Sequence, residues 1–213
     1  MAELEIVFVD ETLLVLDKPA GLLSVPGRGE DKQDCLSRRA QQQYPDALVV
    51  HRLDMSTSGL LVMARGIAAQ RSLNNAFATR SVHKRYEAVV SGVVSAPDSG
   101  WQLIDLPILL DWPNRPKRII DAKLGKPSRT RWQALAMDPL HNTSRLALEP
   151  ITGRSHQLRV HLQALGHAIL GDMLYAPPQV AAQSNRLLLH ACMLELTHPV
   201  DRQTMRFVST TPF

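Results

Sequence analysis

Cysteine is nearly absent: Cys35 and Cys192 are the only two in 213 residues, and they stand far apart rather than in a C-x-x-C pair. That argues against a disulfide framework and a zinc ribbon, and it points to a reduced compartment. No apolar run approaches the roughly 20 residues that a membrane helix needs, so no membrane partner is expected. The opening MAELEIVFVDE lacks a basic n-region followed by a small-residue cleavage site. No signal peptide is therefore expected, and the cytoplasm is the expected location. The glycine-rich phosphate loops are missing: there is no G-x-x-x-x-G-K-[ST] and no G-x-G-x-x-G after a strand. There is no G-x-S-x-G elbow either. His156 and His161 are five apart, not the four that places two imidazoles on one helix face, and no acidic or cysteine partner sits at ligand spacing. No metal is expected.

What is present is ordinary for a globular chain, with 45% hydrophobic and 21% charged residues. The length suits one domain over residues 1–213, in which about 70% of the unfolded surface can be buried. The net charge is only +4, but its distribution is uneven. Residues 111–131 hold Arg115, Lys117, Arg118, Lys123, Lys126, Arg129 and Arg131 against Asp111 and Asp121, a net of +5 in one segment. Such a cluster is an electrostatic footprint for a polyanion, or else a solubilising face.

Strand patterns dominate. Residues 4–9 and 12–17 predict two short strands, 60–64 a buried strand, and RYEAVVSG another. Residues 117–122 and 128–136 predict a hairpin around LGKP, followed by strands at 144–149, 186–196 and 204–208. Helices are expected in three places. One is capped by Asp34 and ends near Gln43, and one spans 66–80 with Ala69, Leu73, Ala76 and Phe77 on a single face. The third is capped by Ser155, lined by Leu158, Leu162 and Leu165, and ended by Gly166. Helices and strands do not alternate strictly. That predicts an α+β domain on a mixed or antiparallel sheet with flanking helices and a cleft, not a doubly wound fold.

Four segments carry candidate chemistry. In HRLDMSTSG, residues 51–59, Asp54 sits in a turn of small polar residues. It either accepts backbone N–H bonds there or acts as a reactive carboxylate. His51 and Arg52 favour the second role, because cationic neighbours keep a carboxylate ionised. In GRSHQLRVH, residues 153–161, Arg154, His156 and Arg159 lie near a helix N-terminus. They suit phosphate or an RNA backbone, or are surface charges. In HKRYE, Tyr86 follows a basic triplet and opens a strand, where a tyrosine is usually a half-buried packing residue. In LLLHA, residues 187–191, a single histidine in an apolar strand reads as a hydrogen-bonded core residue.

In this order the four segments resemble the RluA-type pseudouridine synthases over the whole chain. HRLDMSTSG matches that family's signature around its catalytic aspartate, Lys84-Arg85-Tyr86 its basic-x-Tyr strand, GRSHQLRVH its G-R-x-H-Q helix, and LLLHA its late strand. DWPNRPK at 111–117 and GLLSVPGR at 21–28 resemble the short members that lack an N-terminal S4-type RNA-binding domain. The resemblance implies an isomerase that converts uridine to pseudouridine without a cofactor. It implies Asp54 as the catalytic carboxylate, Arg159 as its pairing arginine and Tyr86 as the residue stacked on the target base. Arg52 would fill the gap left by a flipped uridine. His51, Arg115, Lys117, Arg118, Arg154 and His156 are the expected RNA contacts. Stem-loops of tRNA (the anticodon arm) and of 23S rRNA are the implied partners, and the chain is expected to be monomeric. Two rivals stand beside this. One is an RNA-binding or remodelling protein without catalysis, which Asp54 disfavours by repelling phosphate. The other is a nucleoside hydrolase, which would need a second carboxylate that neither motif supplies.

Overall fold

The computed structural model describes residues 4–94 and 100–213. In chain order the elements are strands β1 (Ile6–Val9) and β2 (Leu13–Lys18), helix α1 (Leu36–Gln43), strands β3 (Ala47–Val49) and β4 (Ser58–Arg65), and helix α2 (Ile67–Ala78). Strands β5 (His83–Ser91), β6 (Gln102–Asp105), β7 (Ile108–Leu110), β8 (Arg118–Ile120), β9 (Arg129–Asp138) and β10 (Thr143–Pro150) follow. Helices α3 (Gln157–Ala164) and α4 (Pro178–Ala181) and strands β11 (Leu189–Thr197) and β12 (Thr204–Val208) complete the chain. The class is α+β, as expected. The chain divides into two compact units, one reaching to Lys84 and including His190–Pro212, the other Arg85–Leu189 with Phe213.

The first unit is built on LLVL and LLVMA. Leu13, Leu14, Val15 and Leu16 have no exposed surface, and Leu60–Ala64 are buried throughout. Continuous apolar runs of this kind suit strands covered on both faces. β2 and β4 pair antiparallel from Leu13↔Ala64 to Lys18↔Gly59, with β1 on the far side of β2 and β3 along part of β4. β11 runs parallel to β4 at His190↔Ser58 and Ala191↔Gly59, and β12 pairs antiparallel with β11. The parallel pair makes this sheet mixed. Helix α2 presents Ala69 and Leu73 to Leu60, Val62, Leu194 and Phe207, with Ala76 and Phe77 at the margin. Gly59 has no substitute here: its φ is +108°, and a Cβ would stand 2.4 Å from the Ala191 carbonyl oxygen.

The second unit carries an antiparallel sheet in which β10 lies between β5 and β9, and β6 flanks β9. Ala88, Val90, Leu146 and Leu148 face Leu158 and Leu162 of α3. Leu165, expected on the same face, is 39% exposed instead. Gly166, at φ +83°, ends the helix as expected.

Three local expectations are corrected. The hairpin of 117–122 with 128–136 does not form: β8 pairs with β7, and β9 with β10 and β6. The cause is the turn after β8. The Asp121 carboxylate accepts the N–H groups of Lys123 and Leu124 at 2.8 and 2.9 Å. Gly125 N–H closes on the Asp121 carbonyl at 3.0 Å, and Lys126 then exchanges both backbone bonds with Ile108. The chain is thereby returned beside β7 rather than β8. Asp34 does not cap α1. Cys35 occupies that position without a side-chain bond, while the Asp34 carboxylate pairs with Arg39 at 2.6 and 2.8 Å. Ser155 does not cap α3 either. His156, at φ +57°, precedes the helix, and the Gln157 amide oxygen accepts Arg154 N–H at 3.0 Å and the Thr152 hydroxyl at 2.7 Å.

Candidate active site

In the first unit, Asp54 sits on a segment gripped from both flanks. The Ser24 hydroxyl donates to the Leu53 carbonyl at 2.7 Å and accepts Leu53 N–H at 3.1 Å. On the other side, Gly21 N–H donates to the Met55 carbonyl at 2.8 Å. The same carbonyl accepts from Lys18 Nζ at 3.1 Å. Lys18 has no exposed surface, and its ammonium also donates to the Pro19 and Leu22 carbonyls, both at 2.8 Å. Burying an ammonium is costly unless its protons are taken up, and backbone oxygens do that here. A charged residue at the end of β2 thus ties residues 19–22 to the Asp54 turn. Thr57 N–H closes that turn on the Asp54 carbonyl at 3.1 Å. Asp54 itself is half-buried, between exposed Arg52 and Met55. Neither Lys18 nor Ser24 stood out in the sequence, although both lie in the KPAGLLSVPGR stretch.

His51 departs from its expected role as a cationic RNA contact. Its Nε2 accepts Val62 N–H at 3.0 Å, one residue beyond the point where β3 stops pairing with β4. Its ring stacks on Phe77 with centroids 4.6 Å apart. Burial, with the Lys84 ammonium nearby, pushes the imidazole down to about 3. It is a neutral packing group, and proton uptake would destroy its acceptor.

The late-strand histidine is a buried core residue, as its surroundings suggested. His190 Nδ1 meets the Ser58 hydroxyl at 2.8 Å and Nε2 meets the Ser209 hydroxyl at 2.8 Å. The Ser209 hydroxyl donates to the Asp17 carboxylate. With that proton committed, Ser209 accepts from His190 Nε2–H, leaving Nδ1 to accept from Ser58. The relay pins the start of β4, four residues after Asp54.

In the second unit, Arg159 is not a surface charge. It is 4% exposed and donates through Nε and Nη2 to both oxygens of Asp172 at 2.8 and 2.6 Å. Asp172 Oδ1 also accepts the N–H groups of Leu174 and Tyr175 at 3.0 and 3.1 Å. The Arg159 guanidinium lies 5.0 Å from the Tyr175 ring centroid. The Tyr175 hydroxyl meets His156 Nδ1 at 2.6 Å and accepts Arg118 N–H at 2.9 Å. Burial raises the Tyr175 phenol, so it stays protonated. Arg159, His156 and the base of β8 therefore converge on Tyr175 and Asp172, two residues the sequence had not singled out. A single Asp and Tyr in GDMLYA carry no local motif that would mark them.

Gln157 and His161 of GRSHQLRVH are structural. His161 Nε2 donates to the Leu106 carbonyl at 3.0 Å, so Nδ1 accepts from the Thr130 hydroxyl at 2.9 Å. Thr130 accepts in turn from Gln157 Nε2 at 3.0 Å. Burial lowers the His161 pKa, in keeping with this neutral tautomer. Tyr86 lies half-buried against the Leu146 and Leu148 cluster, opposite Leu148 on β10. Arg154, Arg115 and Lys117 are exposed. Arg118 is half-buried, its guanidinium donating to the Pro116 and Lys117 carbonyls at 3.2 and 3.3 Å. Cys35 and Cys192 are buried and form no disulfide. Among the described residues no helix is long and apolar enough to cross a membrane.

This fold is shared by the solved human RNA pseudouridylate synthase domain containing 1, at 30% identity and a TM-score of 0.78, covering 99% of this chain and 84% of that one. Residues 12–164 match the family model described as RNA pseudouridylate synthase. The chain is 49% identical over 210 residues to the dual-specificity RNA pseudouridine synthase RluA of Escherichia coli (strain K12), covering 99% of this chain and 94% of the relative. It is 46% identical over 208 residues to the RluA of Yersinia pestis, covering 98% and 99%. The chain belongs to the RNA pseudouridylate synthase family and is an enzyme that isomerises uridine to pseudouridine in RNA.

Proposed function

We propose that Asp54 is the carboxylate that opens the uridine C1′–N1 bond, as nucleophile at C1′ or as base at C2′. The observation that carries this is the two-sided grip on its neighbours, by Ser24 on Leu53 and by Lys18 and Gly21 on Met55. A reacting group must be held to within about half an ångström, and buried side chains locking the flanking carbonyls do that. The detached base turns and rejoins through C5, C5 loses its proton, and N1 gains one. Atoms and electrons balance with no co-reactant, so no cofactor is required. Arg159, oriented by Asp172, is assigned to steer and stabilise the carboxylate. Tyr86 stacks on the base, and Arg52 fills the vacated position in the RNA stack. Arg115, Lys117, Arg118, Arg154 and His156 hold the RNA backbone; His51 is not in this set.

The name dual-specificity, borne by the relatives, supports two kinds of RNA as substrates; we propose the anticodon stem-loop of certain tRNAs and one hairpin of 23S rRNA. A chain of this size has little surface with which to read a large ribonucleoprotein, so a small loop carries the information. We place the enzyme in the cytoplasm and expect a monomer. The test is tritium release from C5-labelled uridine in synthetic stem-loops of both kinds, with free uracil measured alongside. Tritium without uracil is expected from both RNAs; uracil would indicate hydrolysis. Asp54→Asn is expected to lose at least ~10⁴-fold in rate while binding RNA within a few-fold of wild type. Residual turnover above about a thousandth of wild type would remove Asp54 from this role.

A further inference from the structure

We propose that Trp112, at the tip of the β7–β8 hairpin, is a stacking platform for an unpaired base of the RNA loop and that it sets which stem-loops the enzyme accepts. This rests on the stem-loop substrate reading above. Trp112 is 64% exposed, too much for a packing role. The Arg115 guanidinium carbon lies 4.1 Å from its ring centroid, so one face of the indole is backed by a cation and the exposed remainder is open. Trp101 makes the contrast. It is flanked by Arg85 and Arg131 at 5.3 and 5.2 Å, and both of those arginines are committed to Glu149.

The tip is held by its own hydrogen bonds. Asn114 Nδ2 donates to the Asp111 carboxylate at 2.9 Å, Lys117 N–H to the Asn114 carbonyl at 3.0 Å, and Asp111 N–H to the Lys117 carbonyl at 3.1 Å. At the base of the hairpin, Arg118 N–H is bound by the same Tyr175 hydroxyl that meets His156, beneath the Arg159 guanidinium. Trp112 is therefore carried at a set distance from Arg159. Lys117, Lys123, Lys126 and Arg129 are exposed on this segment and supply phosphate attraction. Every base offers a π-face, so a stacking residue reads the presence and placement of an unpaired base, not its identity. That is a selection rule two different RNAs with similarly shaped loops can satisfy.

The experiment uses the full chain carrying Asp54→Asn, so that RNA is bound but not converted. Trp112→Ala is expected to weaken binding of both stem-loops by about 5- to 150-fold, with Trp112→Phe within roughly threefold of the parent. The slope of log K against log salt should stay unchanged for Trp112→Ala. It should flatten by about 0.7 for Arg115→Ala, which removes a phosphate contact. Loop nucleotides are then replaced one at a time by abasic sites. One position should cost the parent as much as Trp112→Ala does, and should cost Trp112→Ala nothing further. Parent-like affinity in Trp112→Ala, or equal sensitivity of both proteins at every abasic position, overturns the proposal. Failure of the substrate reading looks different: the wild-type enzyme would form no pseudouridine in either stem-loop.

Discussion

His51 gives the molecule an acid weakness that can be measured. In the folded chain its imidazole is pushed from 6.5 down to about 3 by burial and the nearby Lys84, and its Nε2 lone pair is occupied by Val62 N–H. The folded pKa is depressed, so below the unfolded value the unfolded chain binds the extra proton. Stability is fully present above about pH 6.5 and is lost as pH falls toward the folded value. At about pH 5 the unfolded histidine is some 1.5 units below its pKa, while the folded one is still neutral. One pKa unit is about 1.4 kcal/mol, so His51 alone removes roughly 2 kcal/mol between about pH 7.5 and pH 5. Any folded value below about 4 gives nearly the same loss at that pH. The assay is urea unfolding of wild type and His51→Gln at the two pH values. A glutamine amide oxygen can still accept from Val62 N–H but does not titrate, so the variant should lose about 2 kcal/mol less than wild type on acidification. His161, also depressed by burial, contributes in the same direction to both proteins and cancels in the comparison. A ring proton resonance of His51 that does not shift between about pH 8 and pH 5 is the companion observation. Equal losses in the two proteins, or a His51 titration near 6.5, would refute the assignment of a neutral, half-buried acceptor.

Asp172→Asn removes the carboxylate that pairs bidentately with the buried Arg159 guanidinium and should destabilise the protein by about 3–5 kcal/mol in chemical denaturation. A change under about 0.5 kcal/mol would mean the pair is not what holds Arg159. Gly59→Ala puts a methyl group 2.4 Å from the Ala191 carbonyl at φ +108°, and on the order of 3 kcal/mol should be lost. Wild-type-like thermal unfolding would contradict that close approach of β4 and β11. Neutralising Lys117, Arg118 and Lys123 together should flatten the slope of log K against log salt by about 2, and an unchanged slope would make the segment a solubilising face only.

The sequence alone determined the α+β class, the buried β4 strand, the amphipathic α2 helix and the family. Those rest on local periodicity and on motifs of contiguous residues, which need no knowledge of what lies opposite. HRLDMSTSG and GRSHQLRVH also marked where to look for chemistry. Partners and protonation were decided by the tertiary structure. The strand at 118–120 was visible, but its pairing with β7 rather than β9 depended on the Asp121 turn and the Lys126–Ile108 bonds, which close only when the chain is folded. His51 read as a cation because charge type is legible in a sequence and burial is not. Arg159 read as a surface charge or a pairing arginine, while its bidentate carboxylate, Asp172, lies thirteen residues away in a segment with no motif. No motif singled out Lys18 or Ser24, and only folding brought their side chains onto the backbone carbonyls flanking Asp54. A motif names the side chains that chemistry needs; the groups that aim them are chosen by proximity in space, which one-dimensional spacing does not record.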